Sequence, residues 1–277
     1  MTLTMPPGPL ATQPTSATNY RIDGPAHRIL FEPHPRRYRA EIAGHTVLDT
    51  TGGHLLHESQ ILPVLYVPLE DFDRTLLEPT DHTTHCPFKG DASYFRVRAG
   101  DRLVENAVWT YEQPLPEAAW LQGFASLYWN KADAWHEEDE RLLGRFRDPY
   151  HRVDVRRSSR AARVTAGGEL LAETRRPLLV FETNLPVRVY VPREDVVGEL
   201  RPSERRAVCP YKGEAAYFSV ATAGGDVIAD AAWHYPEPLP DMAQELAEGV
   251  SFMGDGIEIE LADPDRSDRA TAPTGGR

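Results

Sequence analysis

The chain has 277 residues, 41% hydrophobic and 26% charged, with a formal net charge of −12. That length and balance suit two globular domains of ordinary size with real cores. The negative charge opposes nonspecific binding to nucleic acid or an anionic membrane, since phosphates are repelled on average, and no apolar run approaches the ~20 residues of a membrane span.

The first residues, Met1 to Tyr20, are rich in Pro, Thr and Ala. They lack a charged start followed by an apolar run, so no signal peptide is read and a cytoplasmic location is expected. Residues 1–23 are predicted to be a disordered lead, because they carry too little apolar area to offset ordering entropy.

A first domain is expected over 24–135 and a second over 149–262, because the chain repeats itself. Pro25, His27 and Arg28 match Pro149, His151 and Arg152, an offset of 149 − 25 = 124. The offset runs through Arg39/Arg163, Glu58/Glu182 and Tyr66/Tyr190, becomes 209 − 86 = 123 at Cys86/Cys209, and returns to 233 − 109 = 124 at Trp109/Trp233. Two single-residue insertions in turn-like sequence account for this. The period is far too long for a solenoid, so each copy reads as a domain.

Each copy reads as mostly β. In the second, Arg163-Val164-Thr165-Ala166, Gly167-Gly168 and Glu169-Leu170-Leu171-Ala172 predict a hairpin, the glycines supplying a positive φ. The apolar run from Leu178 ends in the carboxylate of Glu182, and Arg188 to Val191 is a short strand stopped by Pro192. Asp195 to Leu200 reads as a helical turn. Ala215 to Val220 alternates as a strand with Ala216, Phe218 and Val220 on one face, and Gly224-Gly225 leads a further hairpin into Val227 to Trp233. Met242 to Val250, and Glu117 to Trp129 in the first copy, read as one short C-terminal helix per domain. Between the copies, residues 136–148 read as a charged connector, and residues 263–277 as a disordered tail.

The only cysteines are Cys86 and Cys209, one per copy, too few within a copy for a disulfide or a four-cysteine zinc site. Each opens the same motif: Cys86-Pro87-Phe88-Lys89-Gly90 and Cys209-Pro210-Tyr211-Lys212-Gly213. A lysine three residues on, across a turn, can lower a thiol pKa, which makes Cys209 a candidate nucleophile. The other reading is a small packing residue before a strand. Lys89 and Lys212, each before a glycine, can present charge and open N–H groups to an anion, or simply face solvent. Glu58 and Glu182 end strands, where a carboxylate is either exposed or paired, and Arg39/Arg163 and Lys89/Lys212 are candidate partners. Glu182 is also a candidate general acid or base. Tyr190, Tyr217, Trp233 and Tyr235, matched by Tyr66, Tyr94, Trp109 and Tyr111, form either core or the wall of a ligand pocket. Pro236 to Pro240 predicts a stiff, extended lip. His82, His85 and Cys86 have a spacing open to a metal, but the second copy has no such set.

The Cys-Pro-Tyr-Lys-Gly-Glu-Ala run at 209–215, followed by Ala-Ala-Trp-His-Tyr-Pro-Glu-Pro-Leu-Pro at 231–240, resembles the domain of unknown function 427 family. The likeness covers both copies. The second matches more closely, and the first departs at Phe88, Asp91 and Glu112-Gln113. The resemblance implies compact β-rich domains similar to the Mss4-like, or β-tent, proteins. Those often hold zinc through cysteine pairs, which single cysteines do not carry over, so neither metal nor cofactor is expected. The family has been given a nucleotidyltransferase-like label, but the Gly-Ser and paired-aspartate signature of those enzymes is not found here.

The expected function is a small-molecule site in each domain for a polar or anionic ligand. Lys212 would fix charge, Glu182 and Tyr217 would orient, and Cys209 would attack if chemistry follows. The alternative is a non-catalytic binding or scaffold module for a protein partner. The second copy is expected to favour anions, having Arg205 and Arg206 upstream where the first has Asp91 beside Lys89.

Overall fold

A computed structural model describes residues 19, 23–222 and 224–262. Apart from 19 and 23, the lead expected over 1–23 lies outside the described residues, as does the whole tail over 263–277. The chain divides after His151 into two compact units.

The first unit contains β1 (Ile29–Pro33), β2 (Tyr38–Ile42), β3 (His45–Thr50), β4 (His54–Glu58), β5 (Ile61–Pro68) and β6 (Leu77–Cys86). After these come β7 (Gly90–Ala99), β8 (Arg102–Thr110), β9 (Phe124–Leu127), β10 (Ala134–Glu137) and β11 (Glu140–Arg141). A seven-stranded sheet has the order β1-β4-β5-β9-β8-β7-β6, and a four-stranded sheet the order β11-β10-β2-β3.

The second unit repeats the plan with β12 (Val153–Arg157), β13 (Ala162–Ala166), β14 (Glu169–Thr174), β15 (Leu178–Glu182) and β16 (Arg188–Pro192). It continues with β17 (Glu199–Cys209), β18 (Gly213–Ala221), β19 (Val227–His234), β20 (Gly249–Phe252) and β21 (Ile257–Leu261). Its large sheet, β12-β15-β16-β20-β19-β18-β17, has the same strand order as the first, and its small sheet is β14-β13-β21. Gly167 and Gly168 turn the β13–β14 hairpin at φ +57° and +86°, as that dipeptide predicts.

Each large sheet has two buried faces, because side chains along a strand alternate between them. In the first unit Leu55, Leu65, Val67 and Val97 join Tyr38, Ala40, Ile42 and Leu48 of the small sheet in the main core. Leu56, Tyr66, Ala92 and Tyr94, one position off, form a second cluster with Tyr111 and Leu121. In the second unit Leu179, Val189, Val191, Phe218 and Val220 face the main core. Leu178, Val180, Tyr190, Ala215, Trp233 and Tyr235 form the second cluster.

Three local expectations change. The helices expected at Glu117–Trp129 and Met242–Val250 are 3-10 turns, Pro116–Leu121 and Gln244–Glu248, followed by β9 and β20. Leu121 and Leu246 are buried by those short turns, and the first ends at Gln122, whose backbone is already out of helical geometry at φ −60°, ψ 129°. The helical turn expected over Asp195–Leu200 is a three-residue 3-10 turn, Arg193–Asp195, and Glu199 already belongs to β17. The stretch expected as a connector supplies part of β10 and all of β11, and Phe146 is buried in the main core of the first unit. Glu140 and Arg141 of β11 are exposed, whereas Glu137, on the same face of β10 as Trp135, is part-buried and accepts from Arg36 and Tyr38. Among the described residues no helix is long and apolar enough to cross a membrane.

Candidate functional site

The second cluster of each unit collects the motif residues, and at its edge lies an ion pair. Glu58 ends β4 two positions after Leu56, so its side chain falls on the face of that cluster. Lys89 sits in the turn between β6 and β7, and its ammonium donates to Glu58 Oε1. In the second unit Lys212 donates to Glu182 Oε2 at 2.8 Å. Both lysine side chains are only 9% exposed, while the carboxylates are 6% exposed at Glu58 and 16% at Glu182. Of the two partners open to each glutamate, lysine is therefore the one used. Arg39 instead donates to the Glu138 carbonyl at 2.8 Å. Arg163 stands exposed on β13, between inward-facing Ala162 and Val164, away from the cluster.

The turn is locked from outside by the proline-rich lip. Leu115 N–H donates to the Lys89 carbonyl at 3.0 Å, and Leu239 N–H to that of Lys212 at 3.1 Å. Gly90 and Gly213 have φ of +102° and +113°, a region L-residues rarely enter. A side chain at Gly213 would also meet the Glu237 carbonyl oxygen at 3.0 Å. The Lys-Gly dipeptide thus turns the lysine inward and leaves room for the lip, instead of opening a loop to solvent.

Around the pair, Trp109 Nε1 donates to Tyr66 Oη at 3.0 Å, and Trp233 Nε1 to Tyr190 Oη at 3.2 Å. Burial pushes the phenols of Tyr66, Tyr111, Tyr190 and Tyr235 well above their ordinary value. They are neutral hydroxyls at any physiological pH, and those of Tyr66 and Tyr190 accept the two indole hydrogen bonds. Cys86 and Cys209 are partly buried against their clusters. The ammonium that would activate each thiol is already held by a carboxylate.

The outer parts of the two clusters differ. Tyr94 Oη lies 2.8 Å from Thr84 Oγ1, and the ring of His82 stands 4.5 Å from the Tyr94 ring. Tyr217 lies between Trp233, 6.1 Å away, and the guanidinium of Arg205, 4.4 Å from its ring centroid. Arg205 also approaches Asp230 at 3.7 Å, while Arg206 turns back to the carbonyls of Ser203 and Arg205, each at 2.8 Å. His85, the other member of the metal-like spacing, pairs with Asp91 at 2.6 Å. Among the described residues no group of three or more His, Cys, Asp or Glu is placed to hold a metal ion.

One participant is not legible from residue type. His27 Nε2 lies 3.0 Å from Glu58 Oε2, and its ring stacks on Phe88 at 4.0 Å. The signal was present in the offset of 124, which pairs His27 with His151, but nothing local ties a histidine before β1 to a glutamate 31 residues later.

An ammonium and a carboxylate side by side, walled by neutral phenols and an indole, can donate to and accept from one small polar molecule. As a structural device the pair is expensive. Taking two charges out of water costs about as much as their attraction returns, and apolar replacements of similar volume are often equally stable.

No curated protein matches the chain. The sequence profile of the family described as "Domain of unknown function (DUF427)" matches residues 30–138 and again residues 154–263. Each match spans one large sheet with its motif cluster, and the chain belongs to this family as a tandem pair of its domains.

Proposed function

We propose that each unit binds one small polar molecule at its lysine–glutamate pair, and that the second unit prefers an anion. The observation that carries this is the buried pair itself, present in both units although the residues around it have diverged. Lys212 would donate to the ligand, Glu182 would accept, and Tyr217, Trp233 and Tyr235 would wall it. Lys89, Glu58, Tyr94 and Trp109 would do the same in the first unit. The anion preference rests on Arg188 and Arg205, whose guanidinium groups lie 5.3 Å from the Trp233 ring and 4.4 Å from the Tyr217 ring. Binding is favoured over nucleophilic chemistry by Cys209, because the ammonium expected to activate it is committed to Glu182. The finer assignment to the β-tent architecture belongs to the same proposal, supported by the small sheet packed on the large one in each unit.

The test is a ligand screen on the full chain with phosphates, nucleotides and carboxylates, read by thermal shift and NMR. A ligand bound only by the folded state stabilises it by about 2.7 kcal/mol at a hundredfold excess over Kd. Paired substitutions keep the fold comparable: Lys212→Met with Glu182→Leu, and Lys89→Met with Glu58→Leu. The expected result is an anionic hit lost with the first pair and retained with the second. A hit that survives both pairs places the ligand elsewhere and favours the alternative, a binding module without a small-molecule site.

A further inference from the structure

The first unit has a cavity walled largely by aromatic side chains. It has a volume of about 450 Å³, and its wall includes Trp109, Tyr128, Trp129, Trp135, Arg145 and Phe146. That size lies in the ordinary range of small-ligand pockets. The wall is built by tertiary packing. Trp129 and Trp135 stack at 4.3 Å with planes 6° apart, and Trp135 Nε1 donates to the Trp129 carbonyl at 3.1 Å. Tyr128 closes against Trp109 at 4.4 Å.

Among the described residues no carboxylate pairs with the one charged side chain in this wall. Arg145 is half-buried, and among the described residues its one hydrogen bond is a long one, 3.3 Å to the Pro63 carbonyl. Burial pushes its guanidinium below the ordinary arginine value, and no carboxylate acts to raise it again. A second cation, Lys131, lies 4.9 Å from the Tyr128 ring, its ammonium on the carbonyls of Glu105 and Asn106. Aromatic walls alone would accept a cation. With Arg145 inside, the electrostatics exclude one and select an anion, and the guanidinium fork suits a planar carboxylate.

We propose that this cavity binds a planar, largely apolar organic acid, its ring system against the indoles and its carboxylate on Arg145. The second unit lacks the means. Aligning β20 on β9 puts Met253 at the place of Tyr128 and Gly254 at that of Trp129, and β21 puts Ile259 at that of Trp135. The inference does not rest on the ion pairs, because neither Lys89 nor Glu58 lines the cavity.

The test uses the full chain, with 2-naphthoate as the probe and uncharged 2-naphthamide as its control. Calorimetry gives affinity and stoichiometry, and the side-chain N–H signals of the five tryptophans give location. The expected result is one naphthoate per chain, shifting Trp109 and Trp129 and leaving Trp233 in place. Arg145→Gln should weaken naphthoate about tenfold or more, the range a charged hydrogen bond commands, and leave the amide unchanged. Arg145→Lys, which keeps the charge but loses the fork, should fall between. If Arg145→Gln perturbs the fold, as its amide spectrum would reveal, the lysine variant and the amide control carry the test. Equal binding of acid and amide, two probes per chain with Trp233 shifted, unchanged affinity in Arg145→Gln, or no binding at millimolar probe would each overturn the assignment.

Discussion

In the first unit the indole of Trp109 lies against Tyr128 at 4.4 Å, whereas in the second the matching indole of Trp233 lies 5.3 Å from the guanidinium of Arg188. The next tyrosine along repeats the contrast, with His82 on Tyr94 and Arg205 on Tyr217. Behind these contacts the two units agree in the Tyr–Trp hydrogen bond, the Lys–Glu pair, the positive-φ glycine and the lip bonded to the lysine carbonyl. The inner parts depend on one another. A lysine turned inward needs the carboxylate, and the turn that aims it needs glycine and the lip. The rim residues differ, Tyr128 and His82 in the first unit against Arg188 and Arg205 in the second, while these inner parts are the same. The contrast teaches that the inner scaffold and its rim vary independently here.

The largest test of that equivalence removes one charge at a time. Lys89→Ala and Lys212→Ala each leave a buried carboxylate without its ammonium, which typically costs about 3–5 kcal/mol. Chemical denaturation with hydrogen exchange, assigned unit by unit in the full chain, would measure both. A loss confined to one unit would break the equivalence, since the same geometry should carry the same cost.

A smaller effect separates the two turns. Gly90→Ala and Gly213→Ala both force an L-residue into a rare region, at about 1–3 kcal/mol. The penalty should be greater at 213, where the new side chain meets the Glu237 carbonyl at 3.0 Å, than at 90, where its nearest neighbours are the Gln113 carbonyl and the Leu115 nitrogen at 3.4 Å. Equal losses, read as the drop in denaturation midpoint of each unit, would show that the backbone conformation alone decides.

The smallest difference is in alkali. Tyr38, Tyr66 and Tyr111 of the first unit, and Tyr190 and Tyr235 of the second, are held neutral mainly by burial. Their folded pKa values exceed the unfolded value near 10. This stability is therefore fully present below about pH 10 and is lost as pH rises above it. The first unit has one more such buried phenol, and its partly exposed Tyr128 is raised mainly by burial as well, so it should lose at least about 1.4 kcal/mol more per pH unit just above 10. Hydrogen exchange of the full chain between pH 9 and about 11 would compare them, and a steeper decline in the second unit would contradict the assignment of burial as the cause.

Much of this was legible in the residues. The duplication, the hairpin at Gly167-Gly168, the strands ending at Glu58 and Glu182, and the gathering of Tyr, Trp, Lys and Glu all follow from local alternation and from one repeated spacing, information each segment carries by itself. Tertiary structure decided what depends on pairing between distant strands. It chose lysine over arginine as partner of each glutamate, because Arg163 has the wrong parity on a strand of the small sheet. It made 3-10 turns and strands of segments whose apolar spacing also fits a helix, because β9 and β20 find partners in β5 and β16. It drew Trp135 and Phe146 into the first core and so opened a cavity beside Trp109 that no spacing announces. Alternation is a property of a few neighbouring residues. A partner's identity and a cavity are set by which strands lie side by side, and that pairing involves residues tens of positions apart.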